Sequence, residues 1–197
     1  MKILLCGALA AAFSLPYAST APATPPAGAW KVDPVHSSVV FKVKHAGASW
    51  FYGTFGEISG SFLLDGDKLA DSEVKVTIPA ASVASRDDKR DQHLRGPDFF
   101  DAKQFPDITF ESTQVARAGE AFVVQGDLTL RGITKSIQVR VEKTGEGEFY
   151  GKRVGYETTF SIQRSDFGME YGLAENALGD EVVLTIAIEG VQPEAGK

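Results

Sequence analysis

The side chains that could bind a metal ion in this sequence are three histidines and the carboxylates near them. His93 follows Asp87 and Asp91 closely enough for the three to be considered as ligands. In a helix, however, Asp87 and Asp91 share one face, because residues four apart are neighbours, and His93 lies off that face. We therefore predict no metal site. The helix face should be solvated, with His36 and His45 hydrogen-bonded near the ends of the fold.

Motifs of enzyme active sites are absent or incomplete. Asp166-Phe167-Gly168 spells the magnesium-binding triplet of protein kinases, but no glycine-rich phosphate loop accompanies it, so we interpret it as a turn. No Gly-x-Ser-x-Gly nucleophile elbow supports a hydrolytic triad. The single cysteine, Cys6, falls in the N-terminal segment and leaves no thiol for the rest of the chain. The sequence predicts a protein that is not an enzyme and has no catalytic cofactor.

The first residues predict a secretory signal peptide. Met1-Lys2 precedes an apolar run over residues 3–15, which is too short to span a bilayer, and small residues follow. Cleavage after Ala18 and cleavage after Ala23 both fit. The predicted organisation is a signal peptide at 1–23, a flexible lead-in at 24–28, one domain at 29–190 and a C-terminal tail at 191–197.

The charge balance limits the partners. The formal net charge is -6, from 26 acidic and 20 basic residues, which argues against nucleic acid and anionic membranes as main partners. The longest basic cluster is interrupted and comprises Arg86, Lys89, Arg90 and Arg95. After the signal peptide no apolar stretch approaches transmembrane length, so we expect no membrane span in the mature protein.

Alternation of apolar and polar residues dominates the chain from Ser37 onward and is typical of strands with one buried face. Eight such runs predict an all-β fold, either an antiparallel up-and-down barrel or a sandwich. The runs lie at 39–43, 58–64, 74–78, 108–110, 122–130, 137–141, 156–162 and 182–188. Glycine-containing turns are predicted between strands at 65–67, 131–132, 144–147 and 178–180.

Residues 82–104 lack the alternation and are dense in charge. Ser85 and Asp88 resemble a capping box, and Gly96-Pro97 should stop a helix near Arg95. We predict one short helix, then a turn that carries Phe99 and Phe100. An insertion of this length between strands often covers one end of a fold.

Several motifs in fixed order resemble the YceI-like polyisoprenoid-binding family. They are Trp30-Lys31-Val32-Asp33-Pro34-Val35-His36-Ser37, the run 41–55 with His45, Gly53 and Phe55, Arg90-Asp91-Gln92-His93-Leu94 before Asp98-Phe99-Phe100-Asp101, Phe105-Pro106-Asp107-Ile108-Thr109-Phe110, Gly126-Asp127-Leu128-Thr129-Leu130-Arg131-Gly132 and Arg164-Ser165-Asp166-Phe167-Gly168. The resemblance extends from about Trp30 to Glu189.

The resemblance implies an eight-stranded, lipocalin-like antiparallel β-barrel with a short helical insertion, located in the periplasm. Its interior would hold an isoprenoid quinone or a polyprenyl phosphate, which the protein sequesters or carries. The inward positions predicted to contact the ligand are Val39, Phe41, Val43, Phe62, Val76, Ile78, Phe99, Phe100, Phe110, Leu128, Val139, Phe160, Ile162 and Leu184.

Two alternatives remain open at the level of sequence. An eight-stranded barrel can be filled by its own side chains, which would suit an envelope stress or structural module with a protein partner. Arg90 beside Asp91, and Arg164 near Asp166, could hold a lipid phosphate, but we favour internal ion pairs that fix the helix and a turn. A neutral quinone ring would need neither arginine. The sequence also leaves open whether the barrel forms a homodimer.

Overall fold

The computed structural model describes residues 25–192, so the predicted signal peptide and most of the predicted tail lie outside the described residues. The described chain is almost entirely β-structure. Its strands are β1 (Trp30–Val32), β2 (Ser38–His45), β3 (Ser49–Phe55), β4 (Ser59–Leu63), β5 (Glu73–Pro79), β6 (Val83–Ala84), β7 (Asp107–Ala118), β8 (Ala121–Leu130), β9 (Ile133–Glu148), β10 (Lys152–Gln163) and β11 (Leu178–Val191). The α-helix of this region, α1, is Asp88–Leu94.

The strands close into an eight-stranded antiparallel barrel, which confirms the predicted fold class. Hydrogen bonding follows the order β1-β4-β5-β7-β8-β9-β10-β11-β2-β3-β6, and β1 also pairs with β11. β1 and β2, β3 and β4, and β5 and β6 are successive segments of three interrupted strands. Closure between the first and last strands leaves few unpaired edges, which is how barrels avoid edge-to-edge aggregation.

The alternation in sequence becomes an inside and an outside surface. Along β8, the apolar residues Phe122, Val124, Leu128 and Leu130 are buried, while Asp127 is exposed between them. Each of the eight alternating runs overlaps a strand of the barrel. Segment β3 was not predicted as a strand, although Phe51, Gly53 and Phe55 alternate there.

Two of the predicted turns are wrong, and two are confirmed. Residues 144–147 belong to β9, where Gly145 pairs with Gly155 of β10. The reversal follows at Tyr150 and Gly151, whose φ angles are 50° and 111°. Residues 178–180 begin β11 and contain a register shift before Val182. The glycines in both stretches accommodate an irregular strand rather than a chain reversal.

The helical insertion is confirmed, but its first residue is not the predicted one. Asp87, not Ser85, is the N-cap, and its carboxylate accepts a hydrogen bond of 2.8 Å from the Arg90 N–H. Ser85 is buried beneath the helix instead, with 2% of its surface exposed. The helix ends at Leu94, with Arg95 as its C-cap, which agrees with the predicted stop near Arg95. No helix within residues 25–192 is both long enough and apolar enough to cross a membrane.

Candidate ligand-binding cavity

The barrel encloses a cavity of about 500 Å³, lined mainly by the inward side chains of the strands. This volume lies within the range of about 300–1,000 Å³ that is typical of small-molecule sites. The sequence left open whether the interior is packed or hollow, because barrels of this strand number do both. The structure shows that the interior is hollow.

All of the predicted contact residues line this one cavity. For those on strands, this follows from the alternation, which points every second side chain inward, and for Phe99 and Phe100 it follows from the turn after α1. Their contact with a ligand stays a prediction. They are Val39, Phe41, Val43, Phe62, Val76, Ile78, Phe99, Phe100, Phe110, Leu128, Val139, Phe160, Ile162 and Leu184.

Sequence reasoning missed several wall residues. Phe51 and Phe55 could have been found from the alternation in β3, and Tyr156 from its place in the run that includes Phe160. Met169 and Tyr171 gave no such signal, because they lie in the loop between β10 and β11 and reach the cavity only through the tertiary fold.

Glycines make room for three of the aromatic rings. A Cβ atom at Gly53 would lie 2.2 Å from the Phe41 ring, and one at Gly126 would lie 2.5 Å from the Phe110 ring. A Cβ atom at Gly190 would lie 2.4 Å from the Phe62 ring. The rings therefore lie over glycine backbone, which keeps them close to the wall.

The helical insertion contributes an aromatic cap at one end of the cavity. His93, Phe99 and Tyr171 form a cluster with ring centroids 4.9 to 5.3 Å apart. Phe100 packs edge-on against Phe55 of the barrel wall at 5.3 Å. Both phenylalanines after the helix line the cavity, as the prediction of a cap requires.

Arg90 does not pair with Asp91, so the predicted ion pair is wrong. Its Nε donates to the Ser85 hydroxyl at 2.7 Å, one terminal nitrogen donates to the Ser85 carbonyl at 2.6 Å, and its guanidinium lies 4.5 Å from the Phe51 ring centroid. Asp91 is buried and accepts hydrogen bonds from the Ser85 N–H, at 2.7 Å, and the Ser85 hydroxyl. The helix face with Asp91 is thus packed against the fold and not solvated.

Arg164 does not pair with Asp166 either. Its guanidinium is buried and donates to three backbone carbonyls, those of Gly179 at 2.8 Å, Met169 at 2.7 Å and Leu178 at 3.1 Å. Burial lowers the pKa of this group, and Asp180 partly offsets that effect. Because each of its nitrogens donates to the β10–β11 loop or to the start of β11, Arg164 joins these two segments and is not free to bind a phosphate. Asp166 lies 3.7 Å from Lys135 in an exposed pair.

His93 forms no hydrogen bond with Asp87 or Asp91 in the described structure. Its Nε2 lies 2.8 Å from the Asp98 carboxylate. His45 ends β2 and lines the cavity. Among residues 25–192, one group has metal-ligand spacing, Asp33 with His36 and Glu189.

Arg153 occupies the centre of that group. Its guanidinium donates to Asp33 at 2.9 Å and also to Glu189, while His36 Nδ1 lies 2.9 Å from Asp33. The hydrogen bonds with His36 and then Arg153 hold the pKa of Asp33 well below its usual range. A guanidinium already neutralises the carboxylates, so we interpret the group as an ion-pair network and not as a metal site.

Polar groups are sparse along the cavity wall. Tyr156 lies on the inward face of β10, and burial raises the pKa of its hydroxyl, which keeps it a neutral hydrogen-bond donor. Two residues on, the Thr158 hydroxyl is buried without a hydrogen-bond partner in the described part of the chain. Apolar side chains therefore make up most of the wall, and its polar members are a few hydroxyl groups, two histidines and the side chains of Arg90, Glu157 and Arg164.

Comparison with known proteins identifies the family. The YceI-like domain model matches residues 30–190, almost the whole described chain. This chain belongs to the YceI-like family. A UPF0312 protein of Photorhabdus laumondii is 40% identical over 159 residues, which cover 80% of this chain and 82% of that protein.

Solved structures have the same barrel. BcnA of Burkholderia cenocepacia matches with a TM-score of 0.73 and 28% identity, over 80% of this chain and 98% of that one. A polyisoprenoid-binding domain from Saccharophagus degradans, implicated in plant cell wall breakdown, matches with a TM-score of 0.65 over 83% of this chain and 98% of its own. That pair is 19% identical, so the likeness is one of fold.

The motifs that resemble the YceI-like family serve the architecture in this structure. Arg131 donates from one nitrogen to the carbonyls of Phe99 and Gly168, each at 3.0 Å, and so joins the cap to the loop after β10. Gly168, with φ of 71°, ends the short turn that begins at Arg164. The motif Asp166-Phe167-Gly168 is thus a structural turn, as predicted.

Proposed function

We propose that this protein is a periplasmic lipid carrier that binds one isoprenoid chain, of a quinone or a polyprenyl lipid, inside its barrel. The observation that carries the proposal is the apolar cavity of about 500 Å³ beneath an aromatic cap. A long apolar chain gains about 0.8 kcal/mol for each methylene-sized group removed from water, of which a fraction survives the costs of binding. No catalytic group is needed for this role, so we propose binding and not catalysis.

The family supports the ligand class. The Saccharophagus degradans domain of the same fold is described as polyisoprenoid-binding. In this chain the wall consists mainly of branched aliphatic and phenylalanine side chains, which suit a methyl-branched chain that must bend to follow the barrel. The predicted signal peptide at 1–23 supports the periplasmic location.

The polar groups near the cavity bear on the headgroup of the ligand. Arg164 has its donors engaged, whereas Arg90 at the cap has one terminal nitrogen with no hydrogen bond within residues 25–192. A quinone would find the neutral hydroxyl of Tyr156 in the wall, and a polyprenyl phosphate would require Arg90. The mainly apolar wall, in which Arg164 is already engaged with backbone carbonyls, favours the quinone.

A packed barrel with a protein partner is the alternative role. It requires an interior filled by side chains, which a cavity of about 500 Å³ does not fit. No observation of the wall or the cap favours it over lipid binding.

Organic extraction of natively purified protein, followed by mass spectrometry, tests the proposal. We expect one dominant class of isoprenoid lipid. Ile186→Trp should narrow the cavity and lower the lipid signal, whereas Thr185→Trp, on the opposite face of β11, is the matched control and should retain it. Repeated recovery of lipid-free wild-type protein would contradict a carrier role.

A further inference from the structure

The outer face of the hairpin formed by β2 and β3 combines lysines with exposed aromatic rings. Lys42 lies opposite Tyr52, and Lys44 lies opposite Trp50. The two ammonium groups lie 4.8 and 4.6 Å from the centroid of the Trp50 ring. Trp50 is 39% exposed and Tyr52 is 50% exposed, although both are large aromatic residues.

The positive charge of this face is not neutralised locally. Neither lysine forms an ion pair within the described part of the chain, and the same holds for exposed Arg86. Arg86 belongs to the basic cluster noted in the sequence and borders Tyr52 across a shallow groove. We call Lys42, Lys44, Trp50, Tyr52 and Arg86 the hairpin patch.

The same hairpin forms part of the cavity wall on its inner side. Phe41, Val43, His45 and Phe51 point into the cavity from these strands, between the positions of the patch. On its other side β3 pairs with β6 only at Thr54 and Phe55, so its first residues form a short unpaired edge. Near the cap, one layer of backbone separates the hairpin patch from the cavity.

We propose that the hairpin patch docks the barrel on a bilayer that contains anionic phospholipids, with the capped end of the cavity next to the membrane. Lysines and arginines near an anionic surface are attracted to it, and tryptophan and tyrosine prefer the membrane interface. The proposal rests on the proposed function for its purpose, since docking here would shorten the path of a lipid between bilayer and cavity.

The net charge of -6 does not oppose such docking at short range. Charges separated by more than a Debye length, about 8 Å at physiological ionic strength, are largely screened from one another. The acidic residues distributed over the barrel therefore weaken the approach without cancelling the local patch. The expected result is a weak, salt-sensitive and oriented association, which suits transient delivery of lipid.

A second pair of exposed aromatic residues gives a built-in comparison. Phe149 and Tyr150, at the turn between β9 and β10, are 67% and 87% exposed. Glu146 and Glu148 precede them in β9, and Lys143 is paired with Glu146. Glu148 lies opposite Lys152 at this turn, so acidic and basic residues balance there, and an anionic surface should bind the turn more weakly than the hairpin patch.

Co-sedimentation with vesicles tests the docking directly. Wild-type protein should bind vesicles of phosphatidylcholine mixed with phosphatidylglycerol more strongly than vesicles of phosphatidylcholine alone. Removing two lysine charges in the double variant Lys42→Gln, Lys44→Gln should weaken that binding by about 30-fold. The double variant Phe149→Ala, Tyr150→Ala is the control and should bind as the wild type does.

Fluorescence locates the contact on the molecule. The chain contains two tryptophans, so Trp30→Phe leaves Trp50 as the reporter. Its emission should shift to shorter wavelength with the mixed vesicles and should be quenched by brominated lipid. Unchanged emission during vesicle binding would overturn the proposal, as would equal binding by wild type and the lysine variant.

Mass spectrometry of the same preparations separates this proposal from the lipid-carrier function. A lysine variant that retains bound lipid but has lost vesicle binding supports docking as a separate property. Wild-type protein that carries lipid but does not bind the mixed vesicles overturns the docking alone, and would be the outcome if a protein partner occupied the patch. Protein that binds vesicles but never carries lipid overturns the carrier function and leaves the docking intact.

Discussion

Phenylalanine side chains set the width of the cavity. Phe41 and Phe110 lie over glycine backbone and remain close to the wall. Phe160 lies opposite Leu184 on β11, with no glycine beneath its ring. Phe160 is only half-buried because part of its ring faces the cavity. This residue should therefore influence which chains fit.

Replacing Phe160 with Ala should enlarge the cavity and shift the bound lipids towards longer or bulkier chains. Because the ring already faces a cavity, the cost in free energy of unfolding should be about 2 kcal/mol, below the ~3–5 kcal/mol of a fully packed phenylalanine. Phe122→Ala is the control. Phe122 is 6% exposed, is not part of the cavity lining and packs against Tyr156, which is. Phe122→Ala should lower the free energy of unfolding, measured by urea denaturation, by ~3–5 kcal/mol. It should not change the lipids found by mass spectrometry.

The helical insertion is the element that can control access to the cavity. A small set of contacts holds it in place. Arg95 donates to the carbonyls of Ala81 and Val83, and Arg131 donates to that of Phe99. The buried Asp91 also accepts from Ser85, and Phe100 packs against Phe55. The strands, by contrast, are joined by continuous backbone ladders. A segment with few anchoring bonds opens at a lower free energy than the barrel around it.

Amides of residues 82–104 should therefore exchange hydrogen faster than those of the strands, and bound lipid should slow them. Arg131→Ala should speed exchange at residues 96–104 while strand amides stay as they are, because it removes the link to Phe99. Arg140→Ala, an exposed change on β9, should have no such effect. Deuterium exchange with mass spectrometry measures both, and equal protection in lipid-free and lipid-loaded protein would identify the insertion as a static plug.

At the scale of the whole molecule, the barrel closes where β1 meets β4 and β11. Arg153 of β10 contacts both Asp33, just after β1, and Glu189 of β11. The Asp33 N–H also donates to the Glu189 carbonyl at 2.8 Å. One guanidinium thus joins three chain segments at the seam.

The folded pKa of Asp33 lies below the value of about 3.9 for an unfolded aspartate, so its contribution to stability is complete above about pH 4. That contribution is lost as the pH falls towards the folded pKa. Asp33→Asn should therefore be less stable than wild type at pH 7, and the difference should shrink below pH 4. Urea denaturation from pH 7 to below pH 4 measures this difference in the free energy of unfolding. Asp127→Asn, an exposed change on β8, is the control. A difference that is the same at every pH would show that the charge of Asp33 contributes nothing.

The alternating faces, the count of eight strands and the predicted wall residues on the strands were available from the sequence. This is so because a strand has a period of two and each run marks its own buried face. The helix between residues 82 and 104 was equally visible, since the alternation stops there and Gly96-Pro97 ends it. Local patterns of this kind depend on neighbours along the chain.

The partners of the charged residues were decided by the tertiary structure. Arg90 and Arg164 each have an aspartate close in sequence, yet Arg90 donates to Ser85 and Arg164 donates to backbone carbonyls. For Arg164 the reason is burial, because a buried guanidinium requires that its several donors be satisfied at once. The turn glycines at 145 and 179 became strand positions because pairing across the barrel outweighed local turn preference. The open cavity also depends on the tertiary structure. It requires closure of the sheet and the packing of aromatic rings over glycines of neighbouring strands, and neither can be read from one strand alone.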